Sequence, residues 1–343
     1  MTRPHAMLRA GFPYLKCLGS RNSTFFPIDV AIGKEDRVYI ICRSEGAELM
    51  PNNTHIVRLT QDDEILGRMG GRGSKDMQFE WPVMMILDKD ENLYVSDEAN
   101  HCIWITNREG EFLGKWGEYG SGDGQINRPA GIAFDSEDNM YIVDSLNHRV
   151  QKFTKDGEFL GKWGEHGTDN GQFNMPWGIT VDELGDVYIA DWRNDRIQKF
   201  TAEGDFIFSL GTPGTGNGEL NRPSGVAVDM DGDIYVADLG NNRVQMFTAE
   251  GRYLQKFLGD ATLSNSSREF ALNNLKGLRL REMANLEEAK LLRDPRSVKV
   301  DDQGRLYIVD YGSFRVQVYQ KDVVRLGPDQ LADPVRSPTM ETS

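Results

Sequence analysis

Pro129-Ala-Gly-Ile-Ala-Phe-Asp135, Pro176-Trp-Gly-Ile-Thr-Val-Asp182 and Pro223-Ser-Gly-Val-Ala-Val-Asp229 are three versions of one heptapeptide. Read backward, the series reaches Pro82 and Pro27; read forward, it reaches Pro295, with spacings of 55, 47, 47, 47 and 72 residues. Fifteen residues after each proline stand Cys42, Asp97, Asp144, Asp191, Asp238 and Asp310. Six units sharing one internal ruler define a repeat architecture rather than a chain of unrelated domains.

Each unit reads as four short strands. In the third, Gly131–Asp135, Met140–Asp144, Arg149–Phe153 and Phe159–Trp163 are rich in β-branched and aromatic residues. Ser-Glu-Asp-Asn (136–139) and Lys-Asp-Gly (155–157) between them supply turn-forming side chains. Four antiparallel strands repeated six times predict an all-β, six-bladed propeller. Closure is legible too. The outer-strand pattern Glu111-Phe-Leu-Gly-Lys-Trp-Gly117, repeated at 158–164 and in looser form at 64–70, is matched by Tyr14-Leu-Lys-Cys-Leu-Gly19, ahead of the first proline. Residues 14–19 are therefore expected to be the outer strand of the last blade, which leaves no open edge. The rival, Val323-Val-Arg-Leu326, follows Tyr319 too closely for a comfortable hairpin. The layout expected is a tail over 1–13, a propeller over 14–326 carrying a helical insert at 260–293, and a disordered, proline-bearing tail over 327–343.

The 343 residues hold 39 Lys and Arg against 53 Asp and Glu, a net charge of −14. Such a chain is repelled by phosphate backbones and anionic lipid, so nucleic acid is a disfavoured partner and a membrane surface is not expected. Cys17, Cys42 and Cys102 form no disulfide framework, and no apolar run is long enough to span a bilayer. The first 20 residues lack the continuous apolar stretch of a secretion signal, so the expected address is the cytoplasm.

Val143-Asp-Ser-Leu-Asn-His-Arg-Val-Gln151, Ala190-Asp-Trp-Arg-Asn-Asp-Arg-Ile-Gln198 and Ala237-Asp-Leu-Gly-Asn-Asn-Arg-Val-Gln245 resemble NHL repeats, over roughly residues 14–320. The resemblance implies a propeller and leaves function open, because the family includes sensor domains, RNA-binding modules and a peptidyl-amidoglycolate lyase. In those lyases histidines directly after the repeat proline hold zinc in several blades. Here that position holds Ile28, Val83, Ala130, Trp177, Ser224 and Arg296, so the resemblance carries over no zinc site. No metal or cofactor is expected.

Function is sought where the repeat departs from itself. In a propeller the loop between strands two and three and the loop between blades open on one face. The first unit is eight residues longer than the 47-residue period, between Cys42 and Ile56; the fifth-to-sixth interval is 25 longer, between Leu258 and Pro295. Both excesses map to that face. Within the second, Ser266 and Glu269 form a capping-box pattern, and Met283, Leu286 and Ala289 have helical spacing. The recurring Asp and Arg, five residues apart, read as scaffold, since every blade needs them. His101 and His148 occupy equivalent turn positions in adjacent blades. They read first as letters of the repeat, and second as a pair able to share an anion or metal. Trp177, Trp192 and Arg193 belong to the fourth unit, and Arg296, Tyr311 and Phe314 to the sixth. Aromatics and arginine are the types favoured at binding hot spots, although Trp177 and Phe314 equally suit the inter-blade core. The expectation is a monomeric, non-enzymatic platform taking a protein or peptide partner on this mouth. The alternatives are a lyase or lactone-type hydrolase with a site in the central mouth and, third, RNA binding.

Overall fold

Alternating β-branched and aromatic residues bury both faces of every middle strand: Tyr141, Ile142 and Val143 have no exposed surface, nor do Ile189 and Ala190. Only the outermost strand of each blade alternates in and out, as at Phe159–Trp163, where Leu160 faces solvent. A sheet buried on both faces needs a neighbour on each side. The ring supplies them.

The computed structural model describes residues 7–43, 54–265, 267–268 and 286–325. It contains six four-stranded antiparallel sheets. Blade 1 is Pro27–Ile32, Arg37–Cys42, His55–Thr60 and Ile65–Met69. Blade 2 runs from Pro82–Leu87 to Phe112–Trp116, and blade 3 from Pro129–Phe134 to Phe159–Trp163. Blade 4 has a short inner strand, Ile179–Val181, and ends at Phe206–Leu210; blade 5 runs from Pro223–Val228 to Tyr253–Phe257. Blade 6 takes Pro295–Val300, Arg305–Asp310 and Arg315–Gln320 from one end of the chain and Tyr14–Leu18 from the other. Leu18 pairs with Val316, Cys17 with Gln317 and Tyr14 with Tyr319, so the N-terminal strand closes the ring as its sequence pattern implied.

The segment read as an N-terminal tail is structured in part. Met7–Gly11 pairs antiparallel with Asp322–Arg325, the segment that competed for the closing position. The two outer segments thus satisfy each other in a separate ribbon. A short helix, Leu286–Lys290, precedes blade 6, in the interval read as a helical insert. The capping pattern at Ser266 and Glu269, Met283, most of the excess in the first unit (44–53) and the tail at 327–343 lie outside the described residues.

Around the axis, the second residue after the repeat proline sets how closely inner strands approach. A Cβ on Gly131 would lie 2.5 Å from the Trp177 carbonyl, and one on Gly178 would lie 2.6 Å from that of Ser224. The Gly131 amide instead donates to the Trp177 carbonyl across the blade boundary, at 2.8 Å. Blades 6, 1 and 2 carry Ser297, Asp29 and Met84 at this position. Where blades 3 and 4 bring backbone against backbone, blades 6, 1 and 2 place side chains at the boundary, as in the Met85 amide donating to Asp29.

Candidate binding face

The corner that ends each second strand is built around the repeat carboxylate. Asp144 accepts the Asn127 amide at 2.6 Å, Arg149 Nε at 2.7 Å and Gln151 Nε2 at 3.0 Å, while Arg149 reaches the Ser121, Gly122 and Gln125 carbonyls of the inter-blade loop. Asp191, Asp238 and Asp310 repeat the arrangement with Arg196, Arg243 and Arg315. In blade 2, Cys102 replaces the arginine and Trp104 Nε1 donates to Asp97 at 3.3 Å. These groups spend their hydrogen bonds on loop geometry, which is the scaffold role expected of them. The three cysteines are buried, and burial pushes the Cys17 thiol up to about 11 and that of Cys102 to about 12.

The loops fixed by these corners carry the blade-specific residues. Trp192 and Arg193 open a short 3-10 turn, Trp192–Asn194, directly after Asp191. The Trp177 and Trp192 rings lie 6.2 Å apart. The Arg193 guanidinium is 5.5 Å from the Trp192 ring, and that of Arg222, from the next blade's loop, is 5.2 Å from it. Both arginines are exposed and both tryptophans half-buried. The sequence placed the first three residues together. It missed Arg222, whose only signal was its position before the repeat proline of blade 5.

In blade 6, the Arg296 guanidinium covers the Tyr311 ring at 4.3 Å. Tyr311 is only 5% exposed and reaches from blade 6 to the core shared by blades 1 and 2, with Phe26 at 4.9 Å. Phe26 also meets Phe314, which stacks flat on Phe25 at 4.8 Å. This second aromatic group closes the seam between the chain's two ends.

His101 and His148 do not face each other. Each caps its turn in the left-handed region, with φ 51° and 54°. Each Nδ1 accepts an amide from the following blade's loop, His101 from Arg128 at 3.0 Å and His148 from Met175 at 3.1 Å. Their rings pack on different partners, His101 on Tyr119 and His148 on His166. Burial lowers both pKa values, helped by Arg128 for His101 and by His166 and Arg193 for His148. Among the described residues no three His, Cys, Asp or Glu side chains are gathered as a metal site.

One further group was not singled out in the sequence. Glu98, directly after Asp97, is 4% exposed. Its Oε1 pairs with Arg128 Nε at 2.6 Å, while its Oε2 is buried without a hydrogen-bond partner among the described residues. Burial raises its pKa against the pull of Arg128 and Arg43. Arg43 lies 4.2 Å over the Trp81 ring and donates to the Pro82 carbonyl. Ser145, the equivalent residue of blade 3, likewise buries an Oγ without a partner among the described residues.

The NHL repeat model matches residues 127–153, 173–200, 220–247 and 292–319, which take in the first three strands of each of blades 3 to 6. This is an NHL-repeat propeller. No curated protein sequence matches the chain. Among solved structures, a Bacteroides thetaiotaomicron protein of unknown function aligns with a TM-score of 0.62 at 16% identity, over 92% of this chain and 77% of its own. Virginiamycin B lyase from Staphylococcus aureus, solved with quinupristin, aligns with a TM-score of 0.55 at 13% identity, over 90% and 99%. A nidogen/laminin complex contributes a chain at 0.50 and 15%, over 82% and 85%. At these identities the likeness is one of fold. No helix among the described residues is long and apolar enough to cross a membrane.

Proposed function

We infer that this NHL-repeat propeller is a non-enzymatic binding platform whose mouth takes an acidic segment of a protein partner. The observation that carries the reading is the Trp192 ring with the guanidiniums of both Arg193 and Arg222 within 5.5 Å of its centre. Trp and Arg supply much of the energy at protein interfaces, and a guanidinium beside an aromatic face keeps donors free for carboxylates. In a chain of net charge −14, two exposed guanidiniums side by side on the rim, Arg193 and Arg222, favour an anionic partner. The nidogen/laminin structure is a protein complex and is consistent in kind, through fold alone.

The test compares partners retained by the intact protein and by Trp192→Ala/Arg193→Ala, followed by calorimetry on the partner recovered. Loss of about 2 kcal/mol or more of affinity with thermal stability nearly unchanged is the expected result. A large loss of stability with affinity kept would assign the pair to the core. Displacement by single-stranded RNA but not by an acidic peptide would identify a nucleic-acid site instead.

A second reading, a lyase or lactone-type hydrolase, is favoured by Glu98 alone: a buried carboxyl with raised pKa and an unused oxygen at the mouth is suited to proton transfer. Glu98→Gln in the same experiment separates the two. A binding platform keeps its partner, whereas an enzyme loses turnover.

A further inference from the structure

The inner strands carry two charged departures from the repeat that meet across a blade boundary. Two residues after the repeat proline, glycine stands in blades 3, 4 and 5, but Asp29 in blade 1. Four residues after it stand Ala31, Ile86, Ala133, Thr180 and Ala227, but Lys299 in blade 6. Asp29 has no exposed surface, and it accepts the Met85 amide at 2.8 Å and the Ser297 hydroxyl at 2.5 Å. Lys299 Nζ lies 3.8 Å from Asp29 Oδ2, beyond hydrogen-bond length. An ammonium carries three donors, and this one makes no hydrogen bond among the described residues.

Lys299 lines a cavity of about 720 Å³ at the end of the axial channel opposite the mouth. That volume lies within the range of small-molecule and peptide pockets. Its walls are mixed, with Ile32, Leu87, Phe134 and Val181 supplying the hydrocarbon. Its rim is acidic: Glu35, Asp36, Asp88, Glu91, Asp301 and Asp302 outnumber Lys34 and Arg305. Lys34 is engaged by the Lys89 carbonyl and Arg305 by Asp301, and Arg108 reaches Glu35 and Glu91, which leaves Asp36, Asp88 and Asp302 without an ion pair among the described residues. Moving inward, the cavity presents negative charge, then hydrocarbon, then one ammonium with donors to spare.

We propose that this cavity binds the C-terminal end of a short basic peptide, carboxylate first. The terminal carboxylate pairs with Lys299 at the floor, apolar side chains fill the walls, and a Lys or Arg further back lies among the rim carboxylates. A charge pair formed away from water is stronger than its surface counterpart, so the free carboxylate is the decisive group. The site is separate from the mouth and does not depend on the function proposed for it.

Calorimetry on the full chain tests it with two probes, acetyl-Arg-Ala-Val-Leu as the free acid and the same peptide as its C-terminal amide. The free acid binds, and the amide binds about tenfold more weakly or less well still. Asp29→Asn/Lys299→Met removes the floor charges together, so that no carboxylate is stranded, and it erases the preference for the acid. Glu35→Gln/Asp36→Asn weakens both probes alike. The proposal is overturned if the free acid shows no saturable binding at millimolar concentration or if acid and amide bind equally. It is also overturned if the double floor variant, still folded by its melting curve, keeps the preference, or if Trp192→Ala/Arg193→Ala is what abolishes binding.

Discussion

Asp238 is wholly buried and accepts four kinds of donor: the Asn221 amide at 2.7 Å, Asn241 Nδ2 at 2.9 Å, Arg243 Nε at 2.6 Å and Gln245 Nε2 at 3.0 Å. Asp238→Ala would leave the Arg243 guanidinium, 4% exposed, beside an empty space. Breaking a buried pair from one side costs about 3–5 kcal/mol, and urea denaturation should show a loss of that size. Asp238→Asn keeps an acceptor for the Asn221 amide and should cost less. A variant within experimental error of the parent would mean that the corner is decoration. At this scale the sequence spoke clearly about residues that recur and poorly about those that do not. Tyr311 and Trp192 occupy the same repeat position, yet one is buried under Arg296 and the other lies half-exposed beside two arginines. What covers an aromatic ring is supplied by the neighbouring blade, and a single position in the chain does not specify it.

The N-terminal strand is the element on which the ring depends. Leu18 is fully buried, Cys17 nearly so, and the Gly19 amide that follows donates to Asp63 of blade 1 at 2.6 Å. Removing residues 1–20 strips the outer strand from blade 6, exposes apolar blade surface and leaves an unpaired edge; the expected loss is on the order of several kcal/mol. Removing 1–11 takes away the ribbon with Asp322–Arg325 but keeps Phe12 against Phe257, and should cost much less. Melting curves of the two truncations check both statements, and equal effects would contradict the assigned closure. The Tyr14–Gly19 pattern was readable because outer strands share one alternation of exposed and covered residues. Met7–Gly11 carried no such pattern, since its partner is a lone strand outside the blades.

For the molecule as a whole, burial raises the carboxyl pKa values of Asp29, Glu98 and Asp233. A carboxyl with a raised folded pKa binds protons more readily folded than unfolded. Its contribution is fully present below the unfolded value, near 4, and is lost as pH rises through the folded value. Lowering the pH also relieves the self-repulsion of a chain at −14. The melting temperature should therefore rise between pH ~8 and pH ~5.5, a range above the unfolded carboxyl values. A steady fall over that range would show that His101 and His148 dominate: their pKa values are lowered in the fold, so the folded state resists protonation that the unfolded chain accepts as pH falls through the ordinary histidine range. The sequence by itself determined the blade count, the strand order within each blade and the closing strand. All of these follow from short-range chemistry repeated at a fixed interval. Tertiary structure alone decided which side chains meet: Arg222 of one loop over Trp192 of another, Glu98 against Arg128, and Asp29 beside Lys299 from the far end of the chain. The physical reason is ring closure. Blades distant in sequence become neighbours only when the circle is complete, and the closed ring then fixes which groups are covered and which face open space.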